Sequence, residues 1–487
     1  MEYCDTLVAD GAKFIGAIRH SGSYAPSESR PSGYCRCVFS KGSQMKVVVV
    51  ATNASTRFGG EAILPWHYFR LLRKRGVEAW LVAHERTRLE LTALLPDEVD
   101  RMRFVPDRPA QIWLHKMSGP LPKRVTDITL GWAIGVYTSW MQRKIVRELV
   151  AQHDVDVVHE PIPVSPRQPS LMSGVGAPVV IGPMNGGMNY PPAFARSQGI
   201  LERGLMWSGR IASNALNAVF RGKREAAILL VANERTRQVL PRGIKGEVIE
   251  LSENGVDLDV FRRAEGSRSQ SGTVRPRFAF VGRLIEWKGV DLLLKATARA
   301  LRRHDLELHI IGDGAIRPQL ESLAAALRLG DRVVFHGFIP QHQCAKFLAG
   351  LDALVLPSLY ECGGAVVLEA MATGLPVIAT KWGGPADYVD ETTGILIEPT
   401  GPESFISEIA EAMVRLAQSS ELRARLGQAA RTRVVAEFDW ERKIDFILEI
   451  YARAKHSPIL ERSRSLAPGM GYGATGYENK APHATEV

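Results

Sequence analysis

The sequence predicts an α/β protein made of two doubly wound parallel-sheet domains in series. Three observations carry that expectation. From Met45 onward, short apolar runs alternate with helix-period segments, as successive βαβ units do. One polar stretch, "RRAEGSRSQSGTVRPR" at 262–277, interrupts the alternation and has the composition of an interdomain linker. The chain has 487 residues with 45% hydrophobic content, enough for two or three domains.

In chain order, residues 1–44 are rich in Ser, Gly and Arg without sustained periodicity, and are expected to form a disordered extension. They lack a clean apolar stretch with a small-residue cleavage site, so no signal peptide is expected. Met45 is a candidate start of the folded part and of the native chain. "KVVVVATNAS" follows it at once as a buried-strand pattern. Strands are expected at 46–51, 78–83, 155–159, 178–182 and 228–232, which places a first domain over 45–261. After the linker, "RFAFVG", "LELHIIG", "RVVFHG" and "ALVLPS" read as strands separated by helices, giving a second domain over 278–435. The tail, 457–487, is again polar and glycine-bearing and is expected to be disordered.

Composition narrows the function classes. Apolar runs such as 47–51 and 351–356 fall far short of the roughly 20 residues that span a bilayer, so a soluble globular protein is expected. The five cysteines form no CxxC pair and are too scattered for a disulfide framework, which fits a reducing cytoplasm. Metal-ligand spacing is absent, and no metal or other cofactor is expected. The formal charge of +9 is uneven: between Arg203 and Lys245 stand nine Arg or Lys against two Glu. With Trp207 and Phe220 interspersed, this stretch could rest on an anionic membrane face. A solvated helix face beside a core-facing stripe accounts for the same pattern. No nucleic-acid-binding signature accompanies the charge.

The chemistry concentrates in "LYECGGAVVLEAMATGLPVIAT", 359–380. Glu361 lies just beyond the strand ending at Leu356, where open α/β sheets bind their ligands. Gly363 and Gly364 permit a tight turn that lets the backbone approach a ligand. Glu369 follows about 7 Å up the next helix, at roughly 1.5 Å per residue. A helix amino terminus attracts phosphate, whereas carboxylates repel it. Both fit one ligand if the glutamates accept hydroxyls and other residues take the phosphates. A nucleoside diphosphate sugar has that layout. The cations are at hand in "VGRLIEWKG", where Arg283 offers a planar fork and Lys288 a point charge.

These residues carry a resemblance. "VGRLIEWKG", "IIGDGAIRPQLE", "VVFHGF", "LDALVLPSLYECGGAVVLEAMATGLPVIATKWGG" and "TGILIEP" resemble the carboxyl-terminal domain of the family 4 retaining glycosyltransferases, strongly over 278–399. The likeness extends more loosely to "LSENGVDLDVF", to "FGGEAILPWHYFRLLRKRGVEAWLVA" and to "FDWERKIDFILEIYARA". It implies a GT-B fold, two Rossmann-like domains facing a cleft, with a closing helix over 436–456 that crosses back to the first. It also implies that Arg283 and Lys288 bind the donor diphosphate, that Glu361 lies near the donor sugar, and that Glu369 accepts from the ribose. One departure stands out: this chain has Glu-Cys-Gly-Gly-Ala where the family usually has Glu-Gly-Phe-Gly. The identity of the sugar is therefore left open.

By the same resemblance the first domain binds the acceptor. His159, at a strand end, is the candidate contact to the donor sugar, although a histidine there is as readily structural. Gly59 and Gly60 resemble the family's loop over the diphosphate and acceptor, and a plain strand-to-helix turn explains them equally. Asn185, Gly186 and Gly187, in "GPMNGGMNYPPAF", are the candidate acceptor loop. "DVD" (154–156) and "DLD" (257–259) match a metal-binding Asp-x-Asp literally but suit strand-entry and turn positions better. The implied reaction moves a sugar, with retention and without a metal, from a UDP-, GDP- or ADP-sugar to a glycan or lipid-linked acceptor. Cell-envelope or exopolysaccharide synthesis and an inner-membrane face are the family's habits. A GT-B epimerase or phosphorylase, or a nucleotide-sugar sensor without turnover, are the alternatives.

Overall fold

The computed structural model describes residues 45–56, 60–107, 123–197, 212–262 and 275–457, with the backbone alone at 123–134, 196–197 and 342. The extension expected at 1–44, Gly59, most of the linker and all but Ser457 of the expected tail lie outside them.

Seven strands form the first sheet: β1 (Lys46–Val50), β2 (Glu78–His84), β3 (Met102–Val105), β4 (Val157–Glu160), β5 (Val179–Met184), β6 (Ile228–Val231) and β7 (Glu247–Glu250). They lie in the order β3-β2-β1-β4-β5-β6-β7. Six form the second: β8 (Arg277–Val281), β9 (Glu307–Ile311), β10 (Val333–Gly337), β11 (Ala353–Leu356), β12 (Val377–Thr380) and β13 (Gly394–Ile397), in the order β10-β9-β8-β11-β12-β13. The pairings in both sheets are parallel. In each sheet the strand order reverses beside the lobe's first strand, between β1 and β4 and between β8 and β11. Crevices at such reversals are where open α/β sheets place their ligands.

β1 shows why these runs become central strands. Val47 and Val49 pack into one core and Val48 and Val50 into another, so both faces are covered, as a parallel sheet requires. The helix α1 (Ile63–Lys74) covers the first face and α2 (Lys123–His153) the second. The edge strands β3 and β7 escape the sequence pattern because each is short and half of it faces solvent. In the second lobe, α3 (Val290–Ala300), α4 (Arg317–Ala326), α5 (Gln341–Ala349), α6 (Ala365–Ala372), α7 (Pro402–Gln418) and α8 (Ser420–Glu437) surround the sheet.

The last helix among the described residues, α9 (Trp440–Lys455), follows the second sheet in sequence but packs on the first. Asp439 caps it by accepting from Glu441 N. Trp440, Ile444, Ile447, Ile450, Tyr451 and Ala454 recur at helical spacing and enter the first lobe's core. A fully buried isoleucine contributes roughly 1.5–3 kcal/mol, so this stripe outweighs the exposed ion pairs at its rim. Those pairs join Lys74 and Arg75 to Glu441 at 2.6 and 2.7 Å.

The two literal Asp-x-Asp matches serve the backbone. Asp156 accepts Lys46 N at 2.9 Å, tying the entries of β1 and β4. Asp257 accepts Asp259 N at 3.0 Å and pairs with Arg70 at 2.7 Å. Among the described residues, no group of three or more His, Cys, Asp or Glu could hold a metal ion, and no helix is long and apolar enough to cross a membrane.

Candidate functional site

The second sheet's reversal gathers the principal side chains. After β8 the chain makes a 3-10 turn, Glu286–Lys288, closed by Gly289 at φ +66°. A β-carbon at 289 would lie 2.5 Å from Pro357 O, so glycine lets this turn press against the segment leaving β11. Leu359 N donates to Trp287 O at 2.8 Å and locks the two together. The consequence is an ion pair between Lys288 Nζ and Glu361 Oε2, each side chain only 14% exposed. Arg283, on the same loop, is exposed and its side chain has no hydrogen bond or ion pair among the described residues.

The glycine turn then starts α6. Gly364 is its N-cap, with φ +81°. At Gly363 a β-carbon would lie 2.3 Å from Glu253 Oε1 and 2.4 Å from Asn254 Nδ2, so the missing side chain makes room for the first lobe. Glu369, further along α6, accepts from Gln341 Nε2 at 2.8 Å. Burial of its carboxyl raises its pKa, and the Gln341 hydrogen bond opposes that rise. Glu361 is thus held by Lys288, and Glu369 by the start of α5.

The first lobe's candidates go elsewhere. His159 is fully buried: Nε2 meets Gly182 O at 2.7 Å and Nδ1 meets Tyr451 OH at 2.7 Å. The expected contact to a donor sugar is therefore corrected to a core position. The reason is strand alternation, since His159 is still within the β4 ladder and points to the same side as Val157, toward α9. Gly60 opens an exposed turn at φ +55° with nothing near its missing side chain.

Asn185, Gly186 and Gly187 lie in a junction between the lobes. Asn185 Nδ2 donates to Cys362 O at 2.8 Å. A β-carbon at Gly186 would meet Pro166 at 2.6 Å, and one at Gly187, at φ +74°, would meet Arg235 O at 2.6 Å. Packing, more than ligand approach, demands these two glycines. The strand of chain beyond them crosses to the second lobe: Trp382 Nε1 donates to Asn189 O at 2.8 Å, and Phe194 enters the second core against Phe405. Asp387 accepts Asn233 Nδ2 at 2.9 Å and pairs with Arg235 at 3.2 Å.

The basic stretch is also partly spent on structure. Lys223 is 1% exposed and donates to Ser165 O at 2.9 Å, while Arg235 and Arg237 pair with Asp387 and Glu234. Residues 203–211 lie outside the described residues.

Sequence reasoning missed Glu253, which stands beyond the end of β7, 8% exposed and close to Gly363. Burial raises its pKa, opposed by a hydrogen bond from Asn185 and the charge of Lys443. The available signal was its place just past a strand, which the missed β7 concealed.

With the geometry in hand, comparison places the chain. Residues 263–433 match the family glycosyl transferases group 1. The alpha-D-kanosaminyltransferase of Streptomyces kanamyceticus is 32% identical over 238 residues, covering 47% of this chain and 61% of that one. A D-inositol 3-phosphate glycosyltransferase of Salinispora arenicola is 35% identical over 228 residues, covering 42% and 50%. This chain spans between half and about three-fifths of the length of the curated relatives it matches. HepE of Anabaena, solved in complex with UDP, shares the fold with a TM-score of 0.57 at 18% identity, over 84% of this chain and 100% of that one. The chain has the GT-B fold, and residues 263–433 of its second lobe match the glycosyl transferases group 1.

Proposed function

We propose that the chain is a retaining glycosyltransferase that takes a sugar from a nucleoside diphosphate donor. The observation that carries this is the meeting of Lys288 and Glu361 at the second sheet's reversal, with Arg283 exposed beside them. In the structure each member of that pair is held by the other. A donor separates their tasks: the ammonium and the Arg283 fork take diphosphate oxygens, and the Glu361 carboxylate accepts a sugar hydroxyl. Glu369 accepts from the ribose. The names of the relatives favour glycosyl transfer, and solved complexes of HepE with UDP and with UDP-glucose favour such a donor.

In the reaction the bond from the anomeric carbon to the diphosphate oxygen breaks, and a bond to the acceptor hydroxyl oxygen forms on the same face. The departing diphosphate takes the hydroxyl proton. Lys288 and Arg283 stabilise the charge that grows on it, which is the step fixed cations accelerate most. No protein nucleophile or metal is assigned a role. The acceptor is proposed to be a glycan or lipid-linked sugar of the cell envelope or an exopolysaccharide, reached from the cytoplasm. Among the described residues, Arg221, Arg242 and Lys245 are the exposed cations of the basic stretch that could meet an anionic inner-membrane face.

The test is diphosphate release from UDP-, GDP- and ADP-sugars with EDTA present, followed by the anomeric configuration of the product. Release from one of them with retention is expected. Inversion, dependence on added metal, or failure to bind any nucleoside diphosphate would overturn the proposal.

A further inference from the structure

Glu253 is a buried carboxylate at the junction that the proposed reaction does not use. It is clamped from below by α9, where buried Lys443 donates to Glu253 O and, at 2.6 Å, to Ser252 O, and reaches Asn254 O at 3.4 Å. Three carbonyls on one ammonium fix the main chain at 252–254, and the cation also lies 4.5 Å from the Trp440 ring centroid. The carboxyl is therefore aimed, with little freedom, at the glycine turn.

Its contacts there are specific. Oε1 accepts Asn254 Nδ2 at 3.2 Å, and the Asn185 amide also donates to the carboxyl. Asn254 Nδ2 continues to Tyr388 OH at 3.1 Å. Oε2 is buried and has no hydrogen-bond partner. Leaving such an oxygen unpaired is destabilising, so something other than stability holds it there. The groups facing Glu253 come from every element around it: Glu61 and Tyr68 from the first lobe, Lys443 from α9, and Glu361, Cys362 and Tyr388 from the second lobe.

We propose that Glu253 is a positioning residue for the turn that receives the transferred sugar. It bears on Gly363 directly and on Cys362 through Asn185, and so sets the backbone between Glu361 and α6 from the opposite lobe. This rests on the donor arrangement given above. When a diphosphate draws Lys288 away, Glu361 loses its ion-pair partner, and Glu253 with Asn185 keeps the turn in place. The sugar half of the donor depends on that support, whereas the diphosphate half, held by Arg283 and Lys288, does not.

The experiment compares wild type, Glu253→Ala and Glu253→Gln for affinity toward UDP, GDP and ADP and for kcat with the matching nucleotide sugar. For Glu253→Ala, diphosphate affinity is expected to stay within about 2-fold while kcat falls roughly 10²-fold, the scale of a misplaced reacting group. Glu253→Gln keeps the volume and an acceptor oxygen and is expected to restore kcat to within roughly 5-fold. Should the alanine variant not fold, Gly363→Ala pushes the same contact from the other side and is expected to reproduce the selective loss of kcat. An unchanged kcat in either disruptive variant, or equal losses of diphosphate affinity and turnover, would overturn the inference. Wild-type protein that binds none of the three diphosphates would instead overturn the donor proposal, and this inference with it.

Discussion

β4 and β11 hold equivalent places in the two lobes. Each pairs with the first strand of its sheet across the point where the order reverses. Their polar residues nevertheless have opposite fates. His159 is still in register, opposite Val49 and Val180, so its side chain must take one face of a sheet that is covered on both. Glu361 comes five residues after Leu356, where no ladder dictates direction and the turn can aim it at Lys288. The difference teaches that a strand-end residue is free of the core only once it has left the ladder.

The sharpest way to break this comparison is to remove the cation that Glu361 meets. Lys288→Ala is expected to lower kcat/KM with a sugar nucleotide by roughly 10²–10³-fold, about 3–4 kcal/mol, because in the proposed reaction a fixed charge would vanish where the leaving group becomes negative. Steady-state kinetics decides it. Activity within threefold of wild type would mean that the pair is a structural bridge, no different in kind from His159 and Tyr451.

The converse experiment is at His159. His159→Ala removes the partner of both Gly182 O and Tyr451 OH and leaves a cavity, at a cost of about 2–4 kcal/mol in stability. The folded fraction should retain its kcat. Burial lowers the imidazole to about 4, aided by the charge of Lys443 and opposed by the Gly182 hydrogen bond. Between pH 6.5 and 4 the unfolded chain therefore binds a proton that the folded chain refuses, and stability falls as the pH falls. His159 accounts for roughly 3 kcal/mol of that loss. Glu160 and Glu253, whose pKa values burial raises, act with the opposite sign over part of this range, in wild type and variant alike. The wild-type minus variant difference in unfolding free energy across pH isolates the histidine. A flat difference curve would show that the ring is not held neutral.

Much of the second lobe could be read from the chain because its strands are continuous apolar runs followed by glycine turns. "ALVL" and "VIAT" are fully buried, and Gly364 and Gly374 take positive φ where the helix between them begins and ends. The ion pair itself was not legible: Arg283 and Lys288 looked alike as cations, and only packing through Gly289 sends Lys288 to Glu361. Edge strands β3 and β7 were hidden by their exposed charged residues, and losing β7 concealed that Glu253 stands at a strand end. For Gly186 and Gly187 the residue type was informative but the cause was not. A glycine needed beside Pro166 or Arg235 O looks the same in sequence as one needed beside a ligand. His159 failed for a related reason, since one residue of register decides between core and cleft.

The smallest effect is expected at Glu369, and it sharpens the comparison within one lobe. Glu361 and Glu369 flank the same turn, yet Glu369 lies on α6, held by Gln341 from the start of α5. A ribose contact made equally before and during the reaction contributes to binding alone. Glu369→Gln exchanges a charged acceptor for a neutral one of the same shape, a loss of about 1 kcal/mol. That corresponds to roughly a fivefold rise in KM for the donor, with kcat unchanged. Initial rates over a donor concentration series separate the two parameters. A fall in kcat at constant KM would place Glu369 at the reacting sugar, and the division of labour between the two glutamates would have to be reversed.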